Sequence, residues 1–361
     1  MRITSRKSAL SGLALVGVST LLLAGCASAP EAPSGSPSPG ASNFKPCMVS
    51  DSGGFDDKSF NQIGKEGLDA AAKDLGVTAN AVESKAETDY ASNINNLVAD
   101  GCNIVVTVGF LLADATKAAA TANPNVDFAI IDDSSISLPN VKPIVFDTAQ
   151  AAFLAGYAAA SYSKSGIVGT FGGIPIPPVT IFMDGFVDGV NYYNTAKGKS
   201  VKALGWDVTK QDGAFTGGFD ANDTAKSTAQ NLIDQGADVI LPVGGPIYKS
   251  AAQAIKDSGK SIALIGVDAD VTLTDPSIAD ILLTSVMKGI AVGVSDVVKS
   301  TASGKFDNSP FVGTLANGGV GIAPFHSFES KVDPGLKGEL DALKADIISG
   351  KVKVESPSSP K

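Results

Sequence analysis

The chain has 361 residues, with 28 Lys+Arg against 37 Asp+Glu and a formal net charge of −9. That length allows two or three domains, and the acidic balance argues against nucleic-acid polymers as partners, since a polyphosphate seeks a basic surface. One histidine and three cysteines leave little material for a Cys/His zinc cage, which needs four such ligands together, or for histidine-based catalysis.

At the N-terminus, Arg2, Arg6 and Lys7 precede an apolar run over residues 9–24, the pattern of a signal peptide covering residues 1–25. The run is short for a membrane-spanning helix. It closes in Leu23-Ala24-Gly25-Cys26, which resembles the lipobox of bacterial lipoproteins. The resemblance implies a diacylglyceryl group on Cys26, which becomes the new N-terminus and anchors the chain to the outer face of the cell membrane. Cleavage there removes three cationic side chains and no anionic one, so the exported chain is more acidic still. Residues 27–43 are nearly all Ala, Ser, Pro and Gly, a composition that cannot bury apolar area. Residues 26–43 are therefore expected to form a lipidated tether reaching roughly 20 to 50 Å.

From Cys47 onward, short apolar runs alternate with amphipathic segments. Residues 47–50 read as a strand, and Phe60, Ile63, Leu68, Ala71 and Leu75 mark a helix that stops at Gly76. Residues 103–108, 126–131 and 143–146 read as further strands, and a helix is expected from Ala149. A second series begins at residues 166–169 and continues through 201–204, 238–241 and 262–265, with a last strand over 281–286. Strands apolar along their whole length are covered on both faces, which predicts parallel sheets and an α/β fold of two doubly wound, Rossmann-like lobes. The expected division places 44–148 and about 275–308 in the first lobe, and 149–274 and about 309–361 in the second, with several crossings forming the hinge. Cys47 and Cys102 open the first and third strands of the first lobe, strands that commonly lie side by side, so a disulfide between them is predicted.

Ligands of open parallel sheets sit beyond the carboxyl ends of the strands. The loop after the first strand reads Asp51-Ser52-Gly53-Gly54-Phe55-Asp56-Asp57-Lys58-Ser59-Phe60-Asn61-Gln62. Taken alone, it reads equally as an Asp helix cap followed by a core phenylalanine. In context it closely resembles the corresponding loop of the basic membrane protein family, the purine-nucleoside-receptor-like substrate-binding lipoproteins of ABC transporters, whose pattern is roughly G-x-x-D-D-K-S-F-N. Other segments resemble that family in the same order: Ala129-Ile130-Ile131-Asp132, Phe153-Leu154-Ala155-Gly156, Gly218-Phe219-Asp220, Gly236-Ala237-Asp238-Val239-Ile240 with Gly244-Gly245, Ile265-Gly266-Val267-Asp268-Ala269-Asp270, and Leu283-Thr284-Ser285-Val286-Met287-Lys288. The family often has Gln where Val271 stands.

The resemblance implies a type I periplasmic-binding-protein-like fold, a small-molecule nucleoside ligand and an ABC permease as partner. The chain is expected to act as a monomer with no cofactor and no catalytic or metal site. The implied ligand-binding set is Asp56, Asp57, Phe60, Asn61, Asp132, Phe219, Gly245, Asp268 and Lys288. Phe60 and Phe219, one from each lobe, suit the two faces of a flat heterocycle. Asp132 suits the N–H donors of a base, and Asp268 with Lys288 suits vicinal ribose hydroxyls. Each also has a structural reading: a cap at Asp132, a hinge contact at Asp268, a solvated helix-start charge at Lys288. No P-loop, G-x-S-x-G or H-E-x-x-H motif occurs, His326 lacks a visible catalytic partner, and Gly185 and Gly189 do not follow dinucleotide spacing. Two other readings stay open, a signalling or adhesion lipoprotein on the same fold and a nucleoside hydrolase.

Overall fold

The computed structural model describes residues 43–361. The leader, the lipidation expected at Cys26 and nearly all of the tether lie outside the described residues. The first lobe opens with β1 (Pro46–Ser50), α1 (Phe60–Leu75), β2 (Asn80–Val82), α2 (Tyr90–Ala99), β3 (Ile104–Val108), α3 (Ala113–Ala122), β4 (Asp127–Ile131) and β5 (Val141–Phe146). Helix α4 (Thr148–Tyr162) leads into the second lobe. There follow β6 (Ile167–Gly172), α5 (Pro177–Lys197), β7 (Lys202–Leu204), the small hairpin β8 (Trp206–Asp207) and β9 (Asp212–Gly213), then α6 (Asp223–Asp234), β10 (Val239–Val243) and α7 (Ile247–Ser258). The lobe continues with β11 (Ala263–Asp268), α8 (Val271–Thr274) and β12 (Leu282–Lys288). Helix α9 (Ile290–Ala302) crosses back to pack on α1, β13 (Phe311–Gly313) joins the first sheet, and β14 (Val320–Ile322) and α10 (Leu336–Ile348) belong again to the second lobe.

The sheets run β13-β5-β4-β3-β1-β2 and β14-β12-β11-β10-β6-β7. Every pairing is parallel except that of β14 with β12. Strands β1, β3, β10 and β11 are buried at every position, as expected of apolar strands with helices on both faces.

Two expected assignments are corrected. Residues 311–313, placed by sequence in the second lobe, pair with β5 in the first sheet, because the chain leaving α9 reaches that sheet's free edge. The strand placed by sequence at 281–286 does not return to the first lobe, because β12 pairs in register with β11, Asp268 opposite Met287. The return begins only at α9, after Lys288. An apolar strand carries no label for its sheet; the partner is chosen by tertiary packing.

Helix α4 is buried almost all round, between its own sheet and α5. The two helices come so close that a Cβ at Gly185 or Gly189 would strike the backbone of Ala149 or Phe153. Those glycines therefore serve helix packing. Cys47 and Cys102 form a disulfide with Cα atoms 6.0 Å apart, and β1 and β3 are neighbours as anticipated. Among the described residues no helix is long and apolar enough to cross a membrane.

Candidate functional site

In each sheet the strand order reverses between the first and third strands of its lobe, at β1/β3 and at β6/β10. The crevice outside such a reversal is where doubly wound sheets hold ligands. The two crevices share one cleft enclosing about 580 Å³ of free space, its open mouth included. The first lobe contributes the loop after β1 and Gly109–Leu111 after β3. The second lobe contributes Ile176, Pro178 and Val179 near the start of α5, Phe182 within it, and Gly244–Pro246 after β10. Phe60, Asn61, Asp132, Phe219, Gly245, Asp268 and Lys288 all line this cleft, as does Asp57.

Asp56 does not. Its side chain is 87% exposed and pairs with Lys58 on the surface. Asp57 points inward, but its oxygens are taken by the start of α1. Oδ1 accepts from the Ser59 and Gln62 amides at 2.9 and 3.1 Å, and Oδ2 from the Asn61 amide at 2.9 Å. It thus closes the helix N-terminus, satisfying N–H groups that would otherwise have no partner, and fixes Asn61 beside it.

Asn61 Nδ2 donates to Asp51 Oδ1 at 2.7 Å and to Asp57 Oδ2 at 3.2 Å. Both amide hydrogens are used against carboxylates, which sets the orientation of the amide. Its Oδ1 is left buried with no partner among the described residues, and a buried acceptor of that kind gains from any donor brought to it. Asp51, absent from the expected set, is the residue immediately after β1. Its position at a strand end is the signal that would have found it. Burial pushes its carboxyl up to about 6 against the bonds from Asn61 and Gly53.

A second polar group forms where three strands end. Lys288 Nζ donates to Asp132 Oδ2 at 2.6 Å and lies 3.4 Å from Asp268 Oδ1. All three side chains are buried. Burial alone would lower Lys288, but the charges of Asp132 and Asp268 outweigh it and hold the ammonium above its ordinary value. Burial raises both carboxyls while Lys288 pulls each down. Asp132 and Asp268 have left-handed backbones, with φ of 65° and 68°, a conformation uncommon outside glycine and frequent where side chains are held for function. The ammonium also lies 5.3 Å from the centre of the Phe60 ring and 5.0 Å from that of Phe182, within cation–π range. Asp132, to which the sequence reading gave a role apart from that of Asp268 and Lys288, thus makes one cluster with them.

Phe219 owes its place to missing side chains. Its ring lies against Gly173 and Gly244, where a Cβ would strike it. Opposite the mouth of α1, Ser59 Oγ in the first lobe donates to the Val267 carbonyl of the second at 2.9 Å, with Asp268 Oδ2 at 3.2 Å. Thr274 Oγ1 donates to the Lys58 carbonyl at 2.6 Å. The lobes thus touch directly across the cleft. His326 lies elsewhere, its Nε2 2.7 Å from Asp270 Oδ2.

The family model described as "ABC transporter substrate-binding protein PnrA-like" matches residues 44–355. The chain belongs to this family. A curated member-like relative, the "ABC transporter nucleoside-binding protein BmpA" of Lactococcus lactis subsp. cremoris, is 31% identical across 97% of this chain and 99% of its own length. "Basic membrane protein A" of Borreliella burgdorferi is 29% identical across 84% of this chain and 86% of its own. Among solved structures, an ABC transporter solute-binding protein from Aeropyrum pernix K1 superposes with a TM-score of 0.78 at 25% identity, covering 87% of this chain and 94% of that one. Another from Conexibacter woesei, at 21% identity and a TM-score of 0.67 over 88% and 100%, supports the fold alone. Family membership makes the two-lobed cleft that of an ABC transporter substrate-binding protein, with a small-molecule ligand and a permease partner.

Proposed function

We propose that this substrate-binding protein is a lipid-anchored, extracytoplasmic receptor that captures a nucleoside, with purine nucleosides preferred, and delivers it to an ABC permease. The observation that carries the reading is the make-up of the cleft. Phe60 and Phe219, from opposite lobes, are among four phenylalanines lining a space whose buried polar groups are almost all acceptors: Asp51, Asn61 Oδ1, Asp132 and Asp268. Lys288, the one cation among the described residues that line it, is already paired. Such a site favours a flat, neutral ligand rich in N–H and O–H donors. It disfavours a nucleotide, whose phosphate would enter a field of buried carboxylates. In this reading Phe60 and Phe219 stack on the base, Asp51 and Asn61 read donors on it, and the cluster of Asp132, Asp268 and Lys288 takes the ribose hydroxyls. The printed name of the Lactococcus relative, a nucleoside-binding protein matched along nearly its whole length, supports the same ligand class.

A thermal-shift screen over nucleosides, free bases, nucleotides, sugars and amino acids tests the reading. A nucleoside at 100 times its Kd adds about 2.7 kcal/mol of stability, while AMP is expected to give a much smaller shift than adenosine. A larger shift with a sugar or an amino acid than with any nucleoside contradicts the assignment. The anchor is tested separately: Cys26→Ser is expected to release the protein from the membrane fraction, and its retention there would refute lipidation.

A further inference from the structure

The family model ends at residue 355, yet the chain beyond it is tightly placed. Ser356-Pro357-Ser358-Ser359 forms a turn in which the Ser359 amide donates to the Ser356 carbonyl at 3.1 Å. Proline at the second position and serine at the first are the residues such a turn prefers. The Ser358 amide donates to Ser356 Oγ at 3.1 Å, the local serine bond that tightens it. With Pro357 and Pro360 already limiting the chain's freedom, ordering this segment costs less than ordering one without prolines.

The turn presents three hydroxyls to two parts of the molecule. Ser356 Oγ donates to Asp184 Oδ2 at 2.5 Å, and Ser358 Oγ lies 2.7 Å from Thr180 Oγ1. Both partners belong to α5 of the second lobe. Ser359 Oγ donates to Asp147 Oδ1 at 2.8 Å, and Asp147 stands where β5 of the first lobe gives way to α4. Asp147 is itself a node of the hinge. Its amide donates to the Gly313 carbonyl of β13, and its Oδ2 accepts from Gln150, whose Oε1 accepts from the Leu315 amide on the crossing from β13 to β14. The segment also walls a second cavity that shares Phe110, Asp132 and Pro178 with the ligand cleft.

We infer that residues 356–361 are a hinge strap: they tie α5 to Asp147, hold two interlobe crossings in the arrangement seen here, and so position the cleft for its ligand without lining it. The inference rests on the reading that the cleft closes over a nucleoside only for its effect on affinity. The strap itself is a statement about the hinge.

The full chain, a variant ending at Glu355, and S358A/S359A are compared by hydrogen exchange without ligand and by adenosine binding kinetics. Trp206, the single tryptophan, reports strap release, because its Nε1 donates to the other oxygen of Asp184 at 2.8 Å. Loss of the strap is expected to speed exchange at residues 146–150 and 313–320 by about tenfold, the scale of one or two net hydrogen bonds. Exchange in the β1 and β10 cores stays unchanged. Adenosine release is expected to quicken several-fold, with association little altered. Unchanged exchange at both crossings in both variants overturns the strap. If adenosine binds none of the three proteins, the nucleoside reading fails while the exchange data still decide the strap.

Discussion

The two lobes are built alike and charged differently. Each carries five parallel strands in the same order, extended by β13 in parallel in the first lobe and by β14 antiparallel in the second, and in each the fourth, β4 or β11, runs into an aspartate with a left-handed backbone. Each also has an acceptor just ahead of its third strand that ties the start of the first. Asn103 Oδ1 accepts from the Lys45 amide at 2.8 Å, and Asp238 Oδ2 from the Lys164 and Ser165 amides at 2.7 Å. The differences lie elsewhere. Only the first lobe adds a disulfide at that point, Cys47–Cys102. Only the second ends its fifth strand in a cation, Lys288, where β5 ends in Phe146. A single ammonium thus serves one carboxylate from each lobe, an arrangement that exists only with the lobes together. The shared topology supplies the frame, and one asymmetric residue makes the cleft a place where closure and charge balance are coupled.

The sharpest way to break this comparison is to remove the asymmetric cation. Lys288→Met leaves Asp132 and Asp268 facing each other in a buried site. Stability is expected to fall by about 3–5 kcal/mol, the usual cost of orphaning a buried charge, and ligand binding to be lost. Adding Asp268→Asn should restore part of the stability, as measured by urea unfolding. No recovery would mean that the two carboxylates do not share the ammonium. The second asymmetry is tested by replacing Cys47 and Cys102 with serine. A loss of about 2–4 kcal/mol is expected, with faster hydrogen exchange confined to β1 and β3 and the second lobe untouched, since Asp238 provides its own tie. Equal loosening of both lobes would show that they do not behave as separable units.

A smaller effect sharpens the symmetry instead. Phe60→Ala and Phe219→Ala are each expected to weaken nucleoside binding by about 1–3 kcal/mol, the range for aromatic–base stacking. A large loss in one and none in the other would make the clamp one-sided. The smallest effect is in pH. Asp51 is raised to about 6, so below that pH it carries a proton in the free protein and presents an O–H donor and a weaker, neutral acceptor to the ligand. Affinity is therefore expected to be flat above pH 7 and to fall by a few-fold below pH 6, where the carboxylate acceptor is lost, with the step smaller in Asp51→Asn.

Much of this was legible in the residues. Continuous apolar strands meant covered parallel sheets, and the family resemblance, followed at the strand ends, led to Asp132, Asp268 and Lys288. Phe60 and Asn61 came from the same resemblance, since their loop taken alone reads equally as a helix cap followed by a core phenylalanine. What the sequence withheld were matters of tertiary geometry. Asp56 and Asp57 are adjacent and chemically identical, and only the path of the loop into α1 decides that one meets solvent and the other the helix. The membership of β12 depended on which sheet edge lay free. The convergence of Asp132 and Asp268 on Lys288 requires strands from both lobes to end at one point, and no local pattern records that. Asp51 was visible by position but hidden by the more conspicuous carboxylates that follow it.

The central claim, that the interlobe cleft is a nucleoside site, is tested most directly by isothermal titration of the full chain with adenosine, inosine, cytidine, adenine and AMP. The account predicts saturable one-to-one binding of adenosine and inosine, weaker binding of cytidine, adenine and AMP, and loss of affinity for adenosine but not for adenine in Asp268→Ala. Absence of heat with every nucleoside, or adenosine binding unchanged in both Phe60→Ala and Phe219→Ala while the proteins remain folded, would contradict it.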